Sequence, residues 1–268
     1  MILVPFFIVS CLLILLLGIL YFAPHFPLNK IFGPIITELF GSDALSYPDF
    51  YIFLIKIFNN VELIVAVVVG SLTTAMAVFL VSRYDQSEKL NLGQSFRVCW
   101  KRYLVLVLAV GLAVFCLELM IKMPHWLFTR YFSPRRPTLL WLDAKIWAVY
   151  IMPVINFLII AVTQALFVFV IPFLVIKNKG LIRSLFLSIW LSIRKFYIVL
   201  PLVIFPLFLY LPFSFLKNNT LFLLNRMTPE LVIVPLLIGS IFVNNLIIDA
   251  FVTLSVTIFF LQVTEDGK

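Results

Sequence analysis

The sequence predicts an all-α integral membrane protein, a bundle of six transmembrane helices with short amphipathic helices at the membrane interface. Apolar residues make up 63% of the 268 residues, charged residues make up 12%, and the mean hydropathy is +1.16. A soluble domain is about 45–50% apolar and about 25% charged, so a soluble core of this length has no room for so much apolar surface. The charges lie between long apolar runs, which is typical of a multi-pass membrane protein.

Six apolar runs are long enough to cross a bilayer, because a helix of about 20 apolar residues spans the hydrocarbon region. Strands of a membrane barrel show short alternating segments instead. The fourth and sixth runs exceed a straight span, so they must tilt, kink or project beyond the bilayer. The predicted spans, within a single membrane domain covering 1–268, are residues 2–23, 61–82, 103–121, 147–176, 196–216 and 231–263.

Shorter apolar pieces between the spans predict interfacial helices. These pieces are residues 28–41, 48–59, 92–102 and 181–195. As a helix, residues 180–193 rise about 21 Å, which is less than the roughly 30 Å hydrocarbon core. We therefore predict that this piece lies along the membrane. Ser184, Ser188 and Lys195 form a thin polar stripe, with Ser192 beside it. The serines alternatively allow the close approach of another helix.

Basic residues predict the orientation of the chain. A small excess of Lys and Arg in the loops on the side of the termini predicts that both termini are cytoplasmic, in the inner (cytoplasmic) membrane of the cell. We assign the excess of 20 Lys and Arg over 12 Asp and Glu to anionic lipid headgroups on that face and not to nucleic acid. The candidate headgroup contacts are Arg97, Lys101, Arg102, Lys177, Lys179, Arg183, Arg194 and Lys195.

The chain resembles itself after a shift of 93 residues. Ser95 then overlaps Ser188, and the basic pair Lys101-Arg102 overlaps Arg194-Lys195. Both stretches consist of an apolar helix, a polar break, a short helix with aromatic residues, a basic pair and a further apolar helix. This pattern indicates either a parallel internal duplication or the features that any two loops on one membrane face share.

The string IPFLVIKNKGLIRSLFLSIWLSIRKFY, with the weaker LNLGQSFRVCWKRYLVL before it, resembles a broad group of bacterial six-helix membrane proteins. This group includes the YciC-like uncharacterised proteins and the membrane domain attached to some glycerophosphodiester phosphodiesterases. The resemblance covers residues 92–204, and the matching positions are Pro172, Gly180, Ser184, Ser188, Leu191, Arg194 and Lys195. It implies a six-helix protein of the cytoplasmic membrane. It implies no hydrolase activity, because the phosphodiesterase domain is absent from this sequence.

Asp249 is the sharpest candidate for a functional group, because polar side chains inside spans are costly and often functional. Asn245 and Thr253 lie one turn to either side on the same helix face, with Asn244 beside them. One interpretation is an ion or proton site. The alternative is a seam of interhelical hydrogen bonds that also includes Asn156 and Gln164 of the fourth span.

Two glutamates have structural interpretations. Glu118 and Lys122 lie four residues apart near the end of the third span, a spacing that predicts an ion pair. Glu62 follows Asn59-Asn60, which indicates the first turn of a helix.

Enzyme signatures are absent from the sequence: it contains no GxSxG, Walker A, HExxH or GxGxxG motif. The three cysteines form no CxxC pair, and the two histidines lack companions at metal-ligand spacing. We therefore predict no enzyme activity, no catalytic residue, no metal and no cofactor. The predicted function is that of a non-enzymatic membrane protein acting through lipid contact or through assembly with a protein partner or further copies of itself. The alternative is a transporter or permease component that uses Asp249 as an ion or proton site.

Overall fold

The computed structural model describes residues 1–23, 25, 27–41, 49–132, 152–218 and 229–265. All regular elements within these ranges are helical, which confirms the predicted all-α class. In chain order they are α1 (Val4–Phe22), α2 (Asn29–Phe40), α3 (Asp49–Val65), a first π segment (Ala66–Gly70), α4 (Ser71–Asp85), α5 (Leu92–Trp100), α6 (Tyr103–Phe132), α7 (Met152–Phe167), α8 (Val170–Val175), α9 (Leu181–Arg194), α10 (Phe196–Phe208), α11 (Leu211–Asn218), α12 (Pro229–Phe242), a second π segment (Val243–Asp249) and α13 (Ala250–Glu265).

Five helices in the described ranges are long and apolar enough to cross a membrane. A sixth is reached only if α9 and α10 are counted as one span, and these two helices meet at 96°. Five of the six predicted spans therefore contain a helix of sufficient length, and the fifth does not by itself. The five helices are Val4–Phe22, Phe53–Asp85, Tyr103–Pro124, Val154–Val175 and Ile233–Thr264.

The structure differs from the prediction at residues 48–59. From Asp49 onward this piece belongs to α3, which runs without a gap through the first π segment into α4. The apolar side chains Phe50, Leu54 and Phe58 are buried against α1 and α12 in one core cluster. This packing continues the helix through Asn59-Asn60, where the sequence alone indicated a boundary. The other three predicted interfacial pieces form the separate short helices α2, α5 and α9.

The predicted fifth span is also interrupted, because α10 ends at Phe208 and α11 begins at Leu211. The amides of Leu209 and Tyr210 donate to carbonyls three residues back, which tightens the last turn. Pro212 has no amide hydrogen for the Phe208 carbonyl. Proline chemistry therefore ends the helix early, although the apolar run continues.

The three largest of five buried clusters among the described residues form most of the interior. The first joins α1, α3 and α12, and the second joins α7 to α10 with α13. The third, with Leu72, Cys99, Leu106 and Leu174 among its members, connects α4, α5 and α6 to α8. Small side chains such as Ala75 are fully buried between the helices, which allows the helices to approach closely.

Large apolar side chains are exposed on the outer surface of the helices. The outward side of α6 is apolar, and Leu104, Leu108 and Phe115 are 75%, 60% and 61% exposed. Many hydroxyl side chains are buried instead, among them Ser10, Ser71, Thr73, Ser95, Thr163, Ser188, Ser192, Ser240 and Thr257. Contiguous exposed apolar faces of this kind do not occur on soluble monomers without a partner or a membrane to cover them.

Candidate functional site

A cavity of about 320 Å³ lies between α1, α4, α6, α7, α8 and α13. This volume is at the lower end of the roughly 300–1,000 Å³ range of small-molecule sites. Most of the wall is apolar, with side chains such as Val110, Val114 and Val252. The polar side chains of the wall are Ser71, Thr73, Thr74, Thr163, Gln164, Asn245, Asp249, Thr253 and Thr257. An apolar wall with a few convergent polar groups is the usual composition of a ligand site.

Three interruptions of regular helix border this cavity. The first π segment contributes Ala66 and Gly70 to the wall, and the second contributes Asn245 and Asp249. The break between α7 and α8 contributes Val168. π turns inside helices occur frequently at functional sites. In membrane proteins, irregular backbone is tolerated where it is buried in protein or lines a cavity.

Side-chain hydroxyls bond to the backbone of the first π segment. Ser71 Oγ donates to the carbonyl of Val68 at 3.2 Å, and Thr73 Oγ1 donates to that of Val69 at 3.3 Å. The hydroxyl of Tyr103 on α6 also donates to the Val68 carbonyl, at 3.1 Å. These donors supply partners at a wider helical turn, where the regular hydrogen-bond ladder is disturbed. Each hydroxyl oxygen keeps lone pairs that can accept from a bound molecule.

Asp249 is the last residue of the second π segment and faces the cavity. Its side chain is exposed and forms part of the cavity wall. Among the described residues that line the cavity, it is the only one with a formal charge. It makes no hydrogen bond or ion pair with the part of the chain that the structure describes. The carboxylate is therefore available to a bound partner.

The structure brings four of the six predicted candidates to this cavity: Asp249, Asn245, Thr253 and Gln164. Asn245 Nδ2 donates to the Ile241 carbonyl at 2.9 Å, within its own helix. Gln164 reaches the cavity from α7 with an exposed side chain. These contacts place the four residues around one space, as an ion or solute site requires.

The other two candidates lie elsewhere. Asn244 is half-buried and is not part of the cavity wall. Asn156 is also outside the wall, and its Oδ1 atom is buried without a hydrogen-bond partner among the described residues. The predicted hydrogen-bond seam between the fourth and sixth spans therefore does not include these two side chains in the described structure.

A buried ion pair lies near the cavity, and the sequence analysis missed it. Glu62 Oε2 accepts from Lys217 Nζ at 3.4 Å, and the two side chains are only 15% and 6% exposed. Lys217 also donates to the Tyr210 hydroxyl at 3.2 Å. The expected first-turn position of Glu62 is wrong, because α3 begins at Asp49 and continues past Asn59-Asn60.

The eight predicted headgroup residues belong to two basic segments that meet in the structure. Arg102 Nη1 donates to the Leu174 carbonyl at 2.9 Å, so the segment after α5 contacts the end of α8. The Arg194 guanidinium lies over the Trp190 ring, 5.2 Å from its centroid. The exposed members are Arg97, Lys101, Arg183 and Arg194, and the half-buried members are Arg102, Lys177, Lys179 and Lys195. Arg102 therefore has a structural contact in addition to its predicted role.

Helix α9 buries its serines and exposes its apolar side. Ser188 Oγ donates to the Leu166 carbonyl at 2.8 Å, and Ser192 Oγ donates to the Ala165 carbonyl at 2.7 Å. Both acceptors lie just before the break between α7 and α8. The opposite face is 57–71% exposed and consists of Ile182, Phe186, Trp190 and Ile193. The serine stripe thus permits close helix approach, the alternative that the sequence left open.

The two stretches related by the 93-residue shift bury equivalent positions. Ser95 and Ser188 are both fully buried, and Cys99, in the place of Ser192, is 2% exposed. The short helices α5 and α9 each pack on the helix that precedes them. This agreement extends the sequence similarity to the three-dimensional packing.

No three His, Cys, Asp or Glu side chains in the described part of the chain come together to hold a metal ion. No protein-family model matches the chain, and no curated protein or solved structure matches it either.

Proposed function

We propose that the chain is a multi-pass integral membrane protein and a transporter or permease component that binds its solute at Asp249. The supporting observation is a cavity that combines one unpaired carboxylate with three interruptions of helix. A protein that acts only through lipid contact or assembly has no need for such a cavity. Transporters build substrate and ion sites from discontinuous helices near the middle of the membrane.

Membrane insertion is supported by helix length and by surface. Five described helices are long and apolar enough to cross a bilayer. The exposed apolar side of α6 needs a covering that lipid chains supply, while the buried hydroxyls satisfy backbone carbonyls inside the protein. We assign the protein to the inner (cytoplasmic) membrane and propose a six-crossing plan like that of the YciC-like proteins.

The proposed orientation places both termini and the two basic segments in the cytoplasm. The contact of Arg102 with Leu174 brings these segments to one end of the helices, and Lys and Arg concentrate on the cytoplasmic side of membrane proteins. An epitope tag inserted at Gly180 tests this orientation. We expect labelling by antibody only after the cells are permeabilised; labelling of intact cells contradicts the orientation.

Lipid contact or assembly is the second candidate function, and the outward face of α9 favours it. Trp190 and Arg194 stack there beside exposed apolar side chains. Aromatic and basic side chains together are typical of a helix at the lipid headgroup level. This surface is compatible with transport, since a transporter also needs to be anchored.

Substitution of the carboxylate tests transport directly. Purified protein in proteoliposomes is screened for uptake of cationic solutes, and the best solute is compared between the parent and Asp249→Asn. We expect uptake to fall about tenfold or more, because the substitution removes a charge–charge interaction in a region of low dielectric. Glu118→Gln is the matched control, since Glu118 is an exposed acid outside the cavity, and it should transport normally.

Retention of full uptake by Asp249→Asn contradicts the proposed role of Asp249. Accumulation of no solute in the parent protein favours the second candidate function. Gel filtration of both variants in detergent checks that a loss of uptake is not a loss of fold.

A further inference from the structure

We infer that the solute of the Asp249 cavity is a small organic ammonium ion, an amine carrying an alkyl or aryl group, and not a metal ion or a proton alone. This inference rests on the proposed function, since it names the substrate class of the same cavity.

The sign of the charge is the first argument. Asp249 is the only formally charged side chain among the described residues of the wall. The cation Lys217 pairs with Glu62 and donates to Tyr210, and neither member of this ion pair is part of the cavity wall. The field in the cavity therefore attracts a cation and disfavours an anion.

The size of the cavity is the second argument. A volume of about 320 Å³ lies within the range of roughly 300–1,000 Å³ that small-molecule sites have. A dehydrated Ca²⁺ ion needs about six to eight oxygens at 2.3–2.6 Å. The wall offers one carboxylate, and its other oxygens are distributed over several helices. A proton needs no cavity at all, so the space fits a molecule with a body as well as a charge.

The composition of the wall is the third argument. Phe6 and Phe167 place aromatic rings on the lining, beside aliphatic side chains such as Val114 and Ile171. Apolar walls bury the hydrocarbon part of a ligand, and aromatic faces attract ammonium groups. Gln164 and the hydroxyls of Ser71 and Thr73 on α4 can accept the hydrogen bonds of an ammonium that the carboxylate leaves unmade.

Binding by the purified full chain in lipid nanodiscs tests this inference. The probes are phenethylammonium, its uncharged counterpart 2-phenylethanol, and potassium and sodium chloride, measured by calorimetry and by the midpoint of thermal unfolding. We expect phenethylammonium to bind about tenfold or more tightly than 2-phenylethanol, with no displacement by either salt at equal ionic strength. Asp249→Asn should abolish this difference, whereas Asp249→Glu and Glu118→Gln should preserve it.

Four results overturn the inference. They are equal binding of phenethylammonium and 2-phenylethanol, displacement of phenethylammonium by potassium or sodium, unchanged binding of phenethylammonium to Asp249→Asn, and absence of binding by every probe. If Asp249→Asn does not fold, the comparison of probes on the parent protein still decides.

Currents on solid-supported membranes, with protein-free liposomes as blank, separate the two proposals. Ammonium binding without current contradicts transport but retains the ligand class; current carried by potassium or protons, without ammonium binding, contradicts only the ligand class.

Discussion

The two stretches related by the 93-residue shift build the same arrangement with different interactions. In each, a short helix packs on the helix before it, and the next long helix packs against that same preceding helix. In the second stretch, Ser188 and Ser192 on α9 donate to backbone carbonyls of α7. In the first, Ser95 donates to Leu92 within α5 itself, and Cys99 replaces the second serine. The short helix is held by hydrogen bonds in one case and by apolar packing in the other.

The supporting helices explain this difference. The first π segment is followed by Ser71 and Thr73, whose hydroxyls donate to its own carbonyls. The break between α7 and α8, with its flanking residues 167–170, is apolar throughout. Side-chain donors to the backbone carbonyls there must therefore come from another helix. In both stretches hydroxyl donors therefore lie beside the interruption, provided by the same helix in the first stretch and by a neighbouring helix in the second.

The largest expected effect concerns the reactivity of Cys99. Burial raises the pKa of its thiol from 9.0 to about 12. Because only the thiolate reacts, maleimide labelling of Cys99 in the folded protein near pH 8 should be about a thousandfold slower than labelling of an ordinary thiol. The matched control carries Arg97→Cys on the exposed side of α5 together with Cys99→Ser, and it should label at the ordinary rate.

The same burial has a consequence for stability at high pH. The folded protein holds the thiol neutral up to about pH 12, whereas the unfolded chain ionises near pH 9. The contribution of the neutral Cys99 thiol to the free energy of unfolding is therefore fully present below pH 9 and is lost as the pH rises towards 12. Cys99→Ala should remove that part of the alkaline loss. Fast labelling of Cys99 at pH 8 without unfolding contradicts the packed arrangement of α5.

Local features of the sequence predicted much of the helical plan. Run length identified five helices of membrane-crossing length, and the four-residue spacing of Glu118 and Lys122 predicted an ion pair that the structure has at 3.2 Å. The periodicity of Asn245, Asp249 and Thr253 placed them on one helix face, and all three line the cavity. These predictions succeed because they depend on neighbours within one helix.

Long-range packing determined what the sequence could not predict. The burial of Phe58 between helices carries α3 past Asn59-Asn60, and it therefore places Glu62 inside a long helix beside Lys217. The serines of α9 show a related limit. Their spacing defines a face, but a polar face on a membrane helix can meet either water or another backbone, and the pattern is the same for both.

The last prediction tests whether hydrogen bonds hold α9 in place. In the double variant Ser188→Ala/Ser192→Ala, two fully buried donors to α7 are lost, and we expect unfolding in detergent to become easier by about 1–2 kcal/mol. Ser95→Ala is the matched control at the equivalent position of α5. It should cost less, because Ser95 Oγ donates to the Leu92 carbonyl within a single helix turn, so no bond between two helices is lost. An equal loss in both variants would mean that the two short helices are held in the same way.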